Sequence, residues 1–390
     1  MEKKNTKKTI LKIHRILGLA TGLVVFIVSI TGCLWAFKEE VEGTYNEYKT
    51  VVEENNAFLK ASTVKELAEK ILPNRAIHGV VFGQPNEALE VIFYEAEPEV
   101  FYQSVFLNPY TGEFIKRIDH TTGFFAFIMN GHMRLWLPQQ IGSQVVAFSI
   151  LLFLLIIISG IVLWWPKKLK GLTQRLKFKW NDKTRWKRKN FDLHTVLGFY
   201  ASSFGLVLAF TGCVMAFGWF YFIAYKAFGG DKDPRFVTPN SEQVVTINKK
   251  EPKPYDDIVP MLMQKYKEAH SYEFHFPEND TTSILVEVEN SKGLYYNMDY
   301  LFFDQYSSKE LESGSIYGKY KNASFADKVI RMNYDIHIGA IGGLAGKIIA
   351  FLASLICASL PVTGTLLWYG KKFKKKKAVR KPSIRGLSLN

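Results

Sequence analysis

Four long segments without any Asp, Glu, Lys or Arg most constrain the fold of this 390-residue chain. Each segment exceeds the roughly 20 residues that an α-helix needs to cross about 30 Å of hydrocarbon. The first does not resemble a signal peptide, because it is too long and charges resume at Lys38 without a small-residue cleavage site. The sequence therefore predicts a membrane protein with four spanning helices, at residues 16–37, 141–165, 193–225 and 348–370.

The net charge of +14 is concentrated in three short segments beside the predicted spans. Residues 1–15, 166–190 and 371–385 hold about half of all Lys and Arg and almost no acidic residues. This pattern is typical of segments that stay on the cytoplasmic side. It indicates contact with lipid headgroups and argues against nucleic acid as a partner. Both termini are therefore predicted inside, and the two long regions between spans outside.

The predicted organisation follows from these spans and charges. It consists of a cytoplasmic N-terminus with the first span (1–37), an outer domain (38–140), the second span (141–165), a basic cytoplasmic loop (166–190), the third span (191–226), a second outer domain (227–341), the fourth span (342–370) and a basic cytoplasmic tail (371–390). Each outer region contains a helical segment followed by strand-like runs, which predicts a small α+β domain.

The chain repeats itself. HRILGLATGLVVFIVSITGCLWAF at 14–37 returns as HTVLGFYASSFGLVLAFTGCVMAF at 194–217, and SGIVLWWPKKLK at 159–170 returns as TGTLLWYGKKFK at 363–374. Each unit contains two spans, so the two repeats are predicted to be parallel and related by an axis along the membrane normal. The predicted fold class is thus a membrane protein, α plus α+β, with four transmembrane helices from two parallel repeats, each carrying an extracytoplasmic domain.

Four of the eight histidines occupy matched positions in the two repeats. His14 and His194 open the first and third spans at the inner face, and His132 and His337 precede the second and fourth spans at the outer face. Equivalent residues of parallel repeats face each other in the same leaflet. Two facing imidazoles suit a haem iron, which takes one axial nitrogen from each side and then serves electron transfer. Zinc is the competing interpretation, although a zinc site needs three or four ligands.

Several further side chains are candidates for supporting roles. Asp192 and Asp335 stand two residues before a predicted ligand and are candidates to orient its second nitrogen. His120 is a reserve ligand, whereas the other outer histidines are expected at the solvated surface. No nucleotide-binding fingerprint follows a strand. The candidates to bind haem propionates are Lys12, Arg15, Arg134 and Arg331.

These span motifs, together with FLNPYTGEF at 106–114 and LFFDQYSSKEL at 301–311, resemble the PepSY-associated transmembrane proteins. That family comprises bacterial inner-membrane proteins that are also called iron-regulated or PiuB-like. The resemblance covers residues 9 to about 374. It implies PepSY-like domains in the periplasm and two b-type haems, with His14 and His194 binding the cytoplasmic-side haem and His132 and His337 the periplasmic-side haem.

The resemblance also implies a function, because family members include haem-containing reductases that strip iron from siderophores. We therefore expect a ferric-siderophore or other ferric-chelate reductase that releases Fe(II) for uptake, with electrons from quinol or a cytoplasmic reductase. Two alternatives stay open at this point. One is a b-type membrane cytochrome that serves another periplasmic acceptor, and the other is a non-enzymatic PepSY sensor or permease component.

Overall fold

The structure, a computed structural model, describes residues 2–96, 100–166, 168, 172–242 and 254–372. The predicted basic tail lies outside the described residues from position 373 onward. In chain order the helices are α1 (Glu2–Trp35), α2 (Lys38–Glu42), α3 (Ala61–Ile71), α4 (Gly123–Arg134), α5 (Gln139–Trp164), α6 (Leu172–Arg175), α7 (Trp186–Asp192), a π-helical turn (Leu193–Leu197), α8 (Gly198–Ala216), α9 (Gly218–Ala227), α10 (Ile258–Lys265), α11 (Phe325–Arg331), α12 (Asn333–Ile338) and α13 (Gly343–Lys372).

Four helical segments are long and apolar enough to cross a membrane: Thr6–Trp35, Gln139–Trp164, Trp186–Ala216 and Ala340–Lys372. The protein is thus a membrane protein with four candidate spanning helices. The third differs from the predicted single helix over 193–225. Helix α8 ends at Ala216 because Phe217 adopts an extended backbone, with φ −129° and ψ 113°, and α9 then begins a new direction.

The long helices form a bundle in which α1 and α8 each pack against both α5 and α13. Small and branched side chains fill its centre, where Val25, Ile157, Ala209 and Cys357 are buried. Other large apolar side chains, among them Leu23, are exposed on the outside of the bundle. Apolar residues on all sides of a helix are typical of a membrane span.

Two short helices connect the sheet region to the bundle. Helix α4 packs against α1 and α5, and α12 packs against α8. Helix α4 ends at Leu135, which has a left-handed backbone with φ 55°. Helix α12 ends at Gly339, where φ is 80° and an added Cβ would lie 2.5 Å from the carbonyl oxygen of Gly346. Only glycine fits that close turn into α13.

The strands of the two outer regions are β1 (Ile77–Phe82), β2 (Leu89–Glu95), β3 (Phe101–Leu107), β4 (Phe114–Asp119), β5 (Ser271–His275), β6 (Ile284–Glu289), β7 (Asp299–Phe303) and β8 (Glu310–Leu311). They join in one antiparallel sheet of order β4-β3-β2-β1-β5-β6-β7-β8. The sequence predicts two separate small domains, but β1 pairs with β5, with Val81 opposite Glu273. Each strand thereby satisfies backbone groups that would otherwise form a free edge.

The two faces of this sheet differ in chemistry. One face packs under α3 and α10 in a single apolar core that includes Val80, Phe93, Phe274 and Val286. Since side chains alternate between faces, the neighbours of these residues lie on the opposite face. That opposite face is polar, and Tyr300 on it is covered by the Arg331 guanidinium of α11, 5.2 Å from the ring centre. The polar face is therefore turned toward the helices that lead into the bundle.

Candidate cofactor site: two facing histidine pairs

The structure brings the four matched histidines together in the two predicted pairs. At the sheet end of the bundle, the rings of His132 (α4) and His337 (α12) have centres 6.3 Å apart and planes at 71°. At the far end, the rings of His14 (α1) and His194 (π-helical turn) have centres 6.5 Å apart and planes at 82°. The pairs consist of residues about 180 to 205 positions apart in the sequence.

Each far-end ring is held through Nδ1 by a hydroxyl of another helix. Nδ1 of His14 lies 2.8 Å from Oγ of Ser159 on α5, and Nδ1 of His194 lies 2.9 Å from Oγ1 of Thr363 on α13. Both hydroxyls donate their own proton to a carbonyl of their helix, in the case of Ser159 that of Ile156. The hydroxyl oxygen must therefore accept from the imidazole N–H, which leaves Nε2 with the lone pair.

The sheet-end rings are held in the same way. Nδ1 of His132 donates to the carbonyl of Val28 at 2.9 Å and lies 3.2 Å from Oγ1 of Thr31. Nδ1 of His337 lies 2.8 Å from Oγ1 of Thr211. Burial lowers the pKa of His132, and burial together with the neighbouring His132 lowers the pKa of His337 to about 3. Both rings are thus neutral near pH 7, as an axial ligand must be.

A glycine follows each of these four hydroxyl residues and gives the ring its space. A Cβ added to Gly32 or Gly364 would lie 3.1 Å from Cε1 of His132 or His194, respectively. The corresponding distances are 3.4 Å for Gly160 and 3.5 Å for Gly212. Each imidazole thus packs against a Ser-Gly or Thr-Gly pair on another helix, where the hydroxyl contacts Nδ1 and the glycine leaves room for the ring. Sequence reasoning missed this role, although the repeated TG and SG pairs were its signal.

The geometry fits a group that takes one nitrogen from each side. An imidazole nitrogen binds a metal at about 2.0–2.1 Å, and the ring centre lies roughly 1 Å behind it, so two rings on opposite sides of one metal have centres about 6 Å apart. Both observed separations agree with this value. The hydrogen bonds described above hold each ring through Nδ1, and within the described residues neither pair belongs to a cluster of three metal ligands. A four-ligand zinc site therefore fits poorly, whereas bis-imidazole haem ligation fits.

The π-helical turn at Leu193–Leu197 contains His194, which the sequence predicts as a ligand. A π turn inserts one residue relative to an α-helix, and such turns are frequent at functional sites. Asn190, one turn earlier, donates from Nδ2 to the carbonyl of Thr363. This bond ties the start of the third span to the helix whose hydroxyl holds the His194 ring.

The predicted propionate ligands have different environments. Lys12 and Arg15 are exposed on α1 beside His14. Arg134 is partly buried and donates to Oε1 of Gln139 at 3.3 Å. Arg331 is buried, and its guanidinium donates to the carbonyls of Gly318 and Met298.

The predicted orienting aspartates and the reserve ligand contact other groups. Asp192 accepts from Nε1 of Trp180 and Nε of Arg188, and Asp335 accepts from the backbone N–H groups of residues 295 and 296. His120 lies on the sheet, with Nε2 2.8 Å from Oγ of Ser104. Serine and threonine hydroxyls, and not these carboxylates, therefore orient the paired imidazoles.

A cleft of about 450 Å³ lies next to the sheet-end pair. Asn333 lines it and donates to the carbonyl of Thr211, the residue whose hydroxyl holds His337. Its volume is in the range of small-molecule sites. The lining is rich in phenol groups and includes one guanidinium: Tyr221, Tyr295, Tyr300, Tyr317, Tyr334 and Arg331.

Comparison with known proteins identifies the family but not an activity. No curated protein matches this sequence significantly. The family model described as the PepSY-associated TM region matches residues 11–371, which is nearly the whole chain. The chain therefore belongs to the family of proteins with a PepSY-associated transmembrane region.

Proposed function

We propose that the protein is a haem-containing membrane reductase that passes electrons to a ferric chelate, such as a ferric siderophore, and releases Fe(II). One observation carries the proposal: at each end of one helical bundle, two imidazoles from different segments face each other. When bound, a bis-imidazole haem carries one electron at a time and offers no open position to oxygen. Two such groups in one bundle suit a conduit through the membrane.

Matched contacts support the two-repeat architecture on which the pairing depends. Thr31 of α1 holds His132, and Thr211 of α8 holds His337 in the same way. The threonine–histidine contact of the first repeat, which ends with α5, thus recurs in the second repeat, which begins with α7. Two parallel repeats about an axis along the bundle account for both pairs.

The orientation in the membrane follows from charge. The far end of the bundle carries the basic segments at 7–15 and 172–189, which favours the cytoplasmic side for that end. The sheet and the His132–His337 pair would then lie at the periplasmic face of a bacterial inner membrane. Electrons would travel from a quinol or a cytoplasmic reductase toward the sheet.

The chain's own residues have defined tasks in this function. The hydroxyls of Ser159, Thr363, Thr31 and Thr211 keep the imidazoles in one tautomer and orientation. Seventeen residues of α1 separate His14 from Thr31, a rise of about 26 Å, so the two pairs serve opposite membrane faces. The apolar centre of the bundle, which contains the buried Phe153, keeps water out between them.

The cleft beside the sheet-end pair suits the acceptor. Its phenol groups and the Arg331 guanidinium match an anionic, oxygen-rich chelate. One electron reduces the chelated Fe(III) to Fe(II), and the donor is oxidised by one electron for each iron. The less charged and softer ion binds hard oxygen ligands more weakly, so the iron leaves the chelate.

A visible spectrum of the purified protein tests the cofactor. Dithionite-reduced protein should show sharp low-spin b-type bands with two haems per chain, and His337→Ala should retain one. His270→Ala, outside both pairs, should retain two. A preparation that stays colourless after haem loading would overturn the haem and favour the sensor alternative.

Anaerobic mixing of reduced protein with ferric chelates tests the acceptor. Reoxidation of the haem bands with appearance of chelatable Fe(II), one per electron, is expected for the wild type but not for His337→Ala. Failure of every ferric chelate to reoxidise a fully loaded protein would overturn the reductase in favour of another acceptor.

A further inference from the structure

A second cluster of metal-ligating side chains lies on the polar face of the sheet, where β1 meets β5. One ligand atom each from His78, Glu273 and His275 lies within 4.8 Å of the others. A second carboxylate, Glu287 of β6, has an oxygen 3.6 Å from Nε2 of His275. The sequence predicts solvated histidines at positions 78 and 275. His78 is exposed as predicted, but only 14% of the His275 side chain is exposed.

The hydrogen bonding of His275 leaves a lone pair aimed at carboxylates. Its Nδ1 donates to the carbonyl of His78 at 3.0 Å, so Nδ1 carries the proton. Its Nε2 is buried, has no hydrogen-bond partner among the described residues, and lies 3.6 Å from oxygens of both Glu273 and Glu287. A lone pair between two carboxylates is repulsive unless a cation or a proton lies among them. A bond from Nδ1 to a backbone carbonyl is the usual support of a metal-binding histidine.

A bound cation would also stabilise the ionised carboxylates of Glu273 and Glu287. The side chains of Glu273 and Glu287 are only 23% and 19% exposed, and an oxygen of each lies 3.6 Å from the same Nε2. Holding two carboxylates this close together is costly with protein groups alone around them. A divalent cation between them would remove that cost.

The backbone at this junction makes room for such an ion. The pairing of β1 with β2 shifts register between Ile77 and Gly79, so His78 occupies a bulge, and its ring centre lies 5.0 Å from that of His275 on β5. A Cβ at Gly79 would lie 2.7 Å from Oε1 of Glu273 and 3.3 Å from Cε1 of His275. The missing side chain therefore leaves the space in which these ligand atoms converge. Bulges commonly re-aim side chains in this way.

We propose that His78, Glu273, His275 and Glu287 bind a divalent first-row transition-metal ion. Two imidazole nitrogens with carboxylate oxygens form the borderline ligand set that Fe(II), Co(II) and Zn(II) prefer, whereas Mg²⁺ and Ca²⁺ take oxygen ligands. The site shares the polar sheet face with Tyr300 and Arg331 of the cleft. Its natural occupant is Fe(II) released from the chelate, an assignment that rests on the proposed function.

Metal binding to the full-length, haem-loaded protein in detergent tests the site. Equilibrium dialysis against Co(II), followed by metal analysis, avoids the background of haem iron. We expect one Co(II) per chain in the wild type and at least tenfold weaker binding in Glu273→Gln and His275→Gln. His270→Gln is the matched control, because His270 directly precedes the same strand and its Nε2 lies 3.9 Å from one carboxylate, that of Glu87. Equal binding by all four proteins would overturn the site.

A steric variant keeps the proposal testable if loss of a ligand disturbs folding. Gly79→Ala removes no ligand but fills the space between Glu273 and His275. It should lose Co(II) binding and the metal-dependent rise in melting temperature that we expect for the wild type. A Gly79→Ala protein that melts like the wild type without metal and still binds Co(II) would contradict the geometry.

Anaerobic Fe(II) binding and ferric reduction separate this inference from the proposed function. His275→Gln should retain two haems and reduce ferric chelates at the wild-type initial rate, because His275 lies outside both histidine pairs, but should retain no Fe(II) after gel filtration. Ferric reduction by a wild type that binds neither Co(II) nor Fe(II) would overturn the metal site alone. Metal binding without ferric reduction would overturn the proposed reductase but not the metal site. The site would then have a function other than binding Fe(II) released from the chelate.

Discussion

The hydroxyl of Thr211 lies 2.8 Å from Nδ1 of His337, although 126 positions separate the two residues in the sequence. Thr31 stands in the same relation to His132 at 3.2 Å and across 101 positions. The Thr211 hydroxyl accepts from Nδ1 of His337, whereas Nδ1 of His132 donates mainly to the carbonyl of Val28 beside Thr31. In both rings the acceptor at Nδ1 sets the tautomer and raises the basicity of the imidazole. Under the proposed function, residues of neighbouring helices would thus prepare the paired histidines as ligands.

Loss of the Thr211 hydroxyl should change the potential of one haem without removing it. In Thr211→Val the Nδ1–H of His337 loses its acceptor hydroxyl, so the imidazole becomes a weaker donor and the ferric state is less stabilised. A hydrogen bond of about 1 kcal/mol predicts a rise of the sheet-end haem potential by tens of millivolts. A spectroelectrochemical titration measures it.

Thr21→Val is the matched control for that experiment. Thr21 is a buried threonine of α1 whose hydroxyl donates to the carbonyl of Leu17 and contacts no histidine. It should leave both potentials unchanged. Equal shifts in the two variants would show that the hydroxyl of Thr211 has no specific effect on the haem.

A side chain at position 364 should remove the far-end haem. The Cβ of Gly364→Val would lie 3.1 Å from Cε1 of His194, and its methyl groups would displace the ring from Thr363. We expect haem content to fall from two to one per chain, measured by pyridine haemochrome. Gly18→Val, where an added Cβ meets nothing within 4 Å, should retain two. Retention of both haems by Gly364→Val would contradict the far-end site.

Asp327 should support the fold in a pH-dependent manner. It is fully buried, accepts from Lys232 and from the hydroxyl of Tyr225, and closes the capping box of α11 with Ser324. Burial alone raises its pKa, but the hydrogen bonds outweigh burial and hold the pKa below its ordinary value. Loss of these charged hydrogen bonds in Asp327→Asn should cost about 2 kcal/mol at pH 7.

The sign of the pH effect follows from that lowered pKa. The contribution of Asp327 is fully present above the ordinary aspartate pKa of about 3.9 and is lost as pH falls through the lower folded value. The melting-temperature gap between wild type and Asp327→Asn should therefore be constant from pH 7 to 5 and shrink below pH 4. Asp257 is exposed and serves as the control: Asp257→Asn should melt at the same temperature as the wild type at each pH. A gap that widens on acidification would contradict the assignment.

Cysteine labelling should reveal the orientation of the bundle. Glu113 is exposed beyond strand β3, and Lys183 is exposed between the second and third long helices. The two variants to label are Glu113→Cys and Lys183→Cys. A membrane-impermeant maleimide should label the first in cells with a permeabilised outer membrane and the second only after lysis. The native Cys33, Cys213 and Cys357 are buried and should give little background. The reverse pattern would invert the proposed topology.

The sequence was sufficient to predict the four apolar helices, because lack of charge over such lengths has few other physical explanations. It also led to the histidine pairs, since matched positions in parallel repeats must meet. The partners of Nδ1 could not be predicted in this way. Thr31 and His132 belong to segments whose relative rotation depends on packing, whereas Asp335 is near His337 only along the chain.

The joining of all eight strands in one sheet could not be predicted from the sequence either. Alternation of apolar and polar residues predicts strands and faces, but it does not specify which edge strands pair. The convergence of Glu273 with His78 depends on that pairing and on the bulge of β1. Arg331 shows the same limit, because its carbonyl partners belong to loops that no periodicity describes.

The antiparallel seam between β1 and β5 explains why a single polypeptide has an advantage over two copies of a half-length chain. An isolated half would expose one bare strand, and antiparallel geometry would allow that strand to pair with its own duplicate in a homodimer. Such a homodimer would present identical side chains on both sides of the seam. Covalent fusion lets the sides diverge, so that one contributes His78 and the other Glu273 and His275 to a single asymmetric cluster.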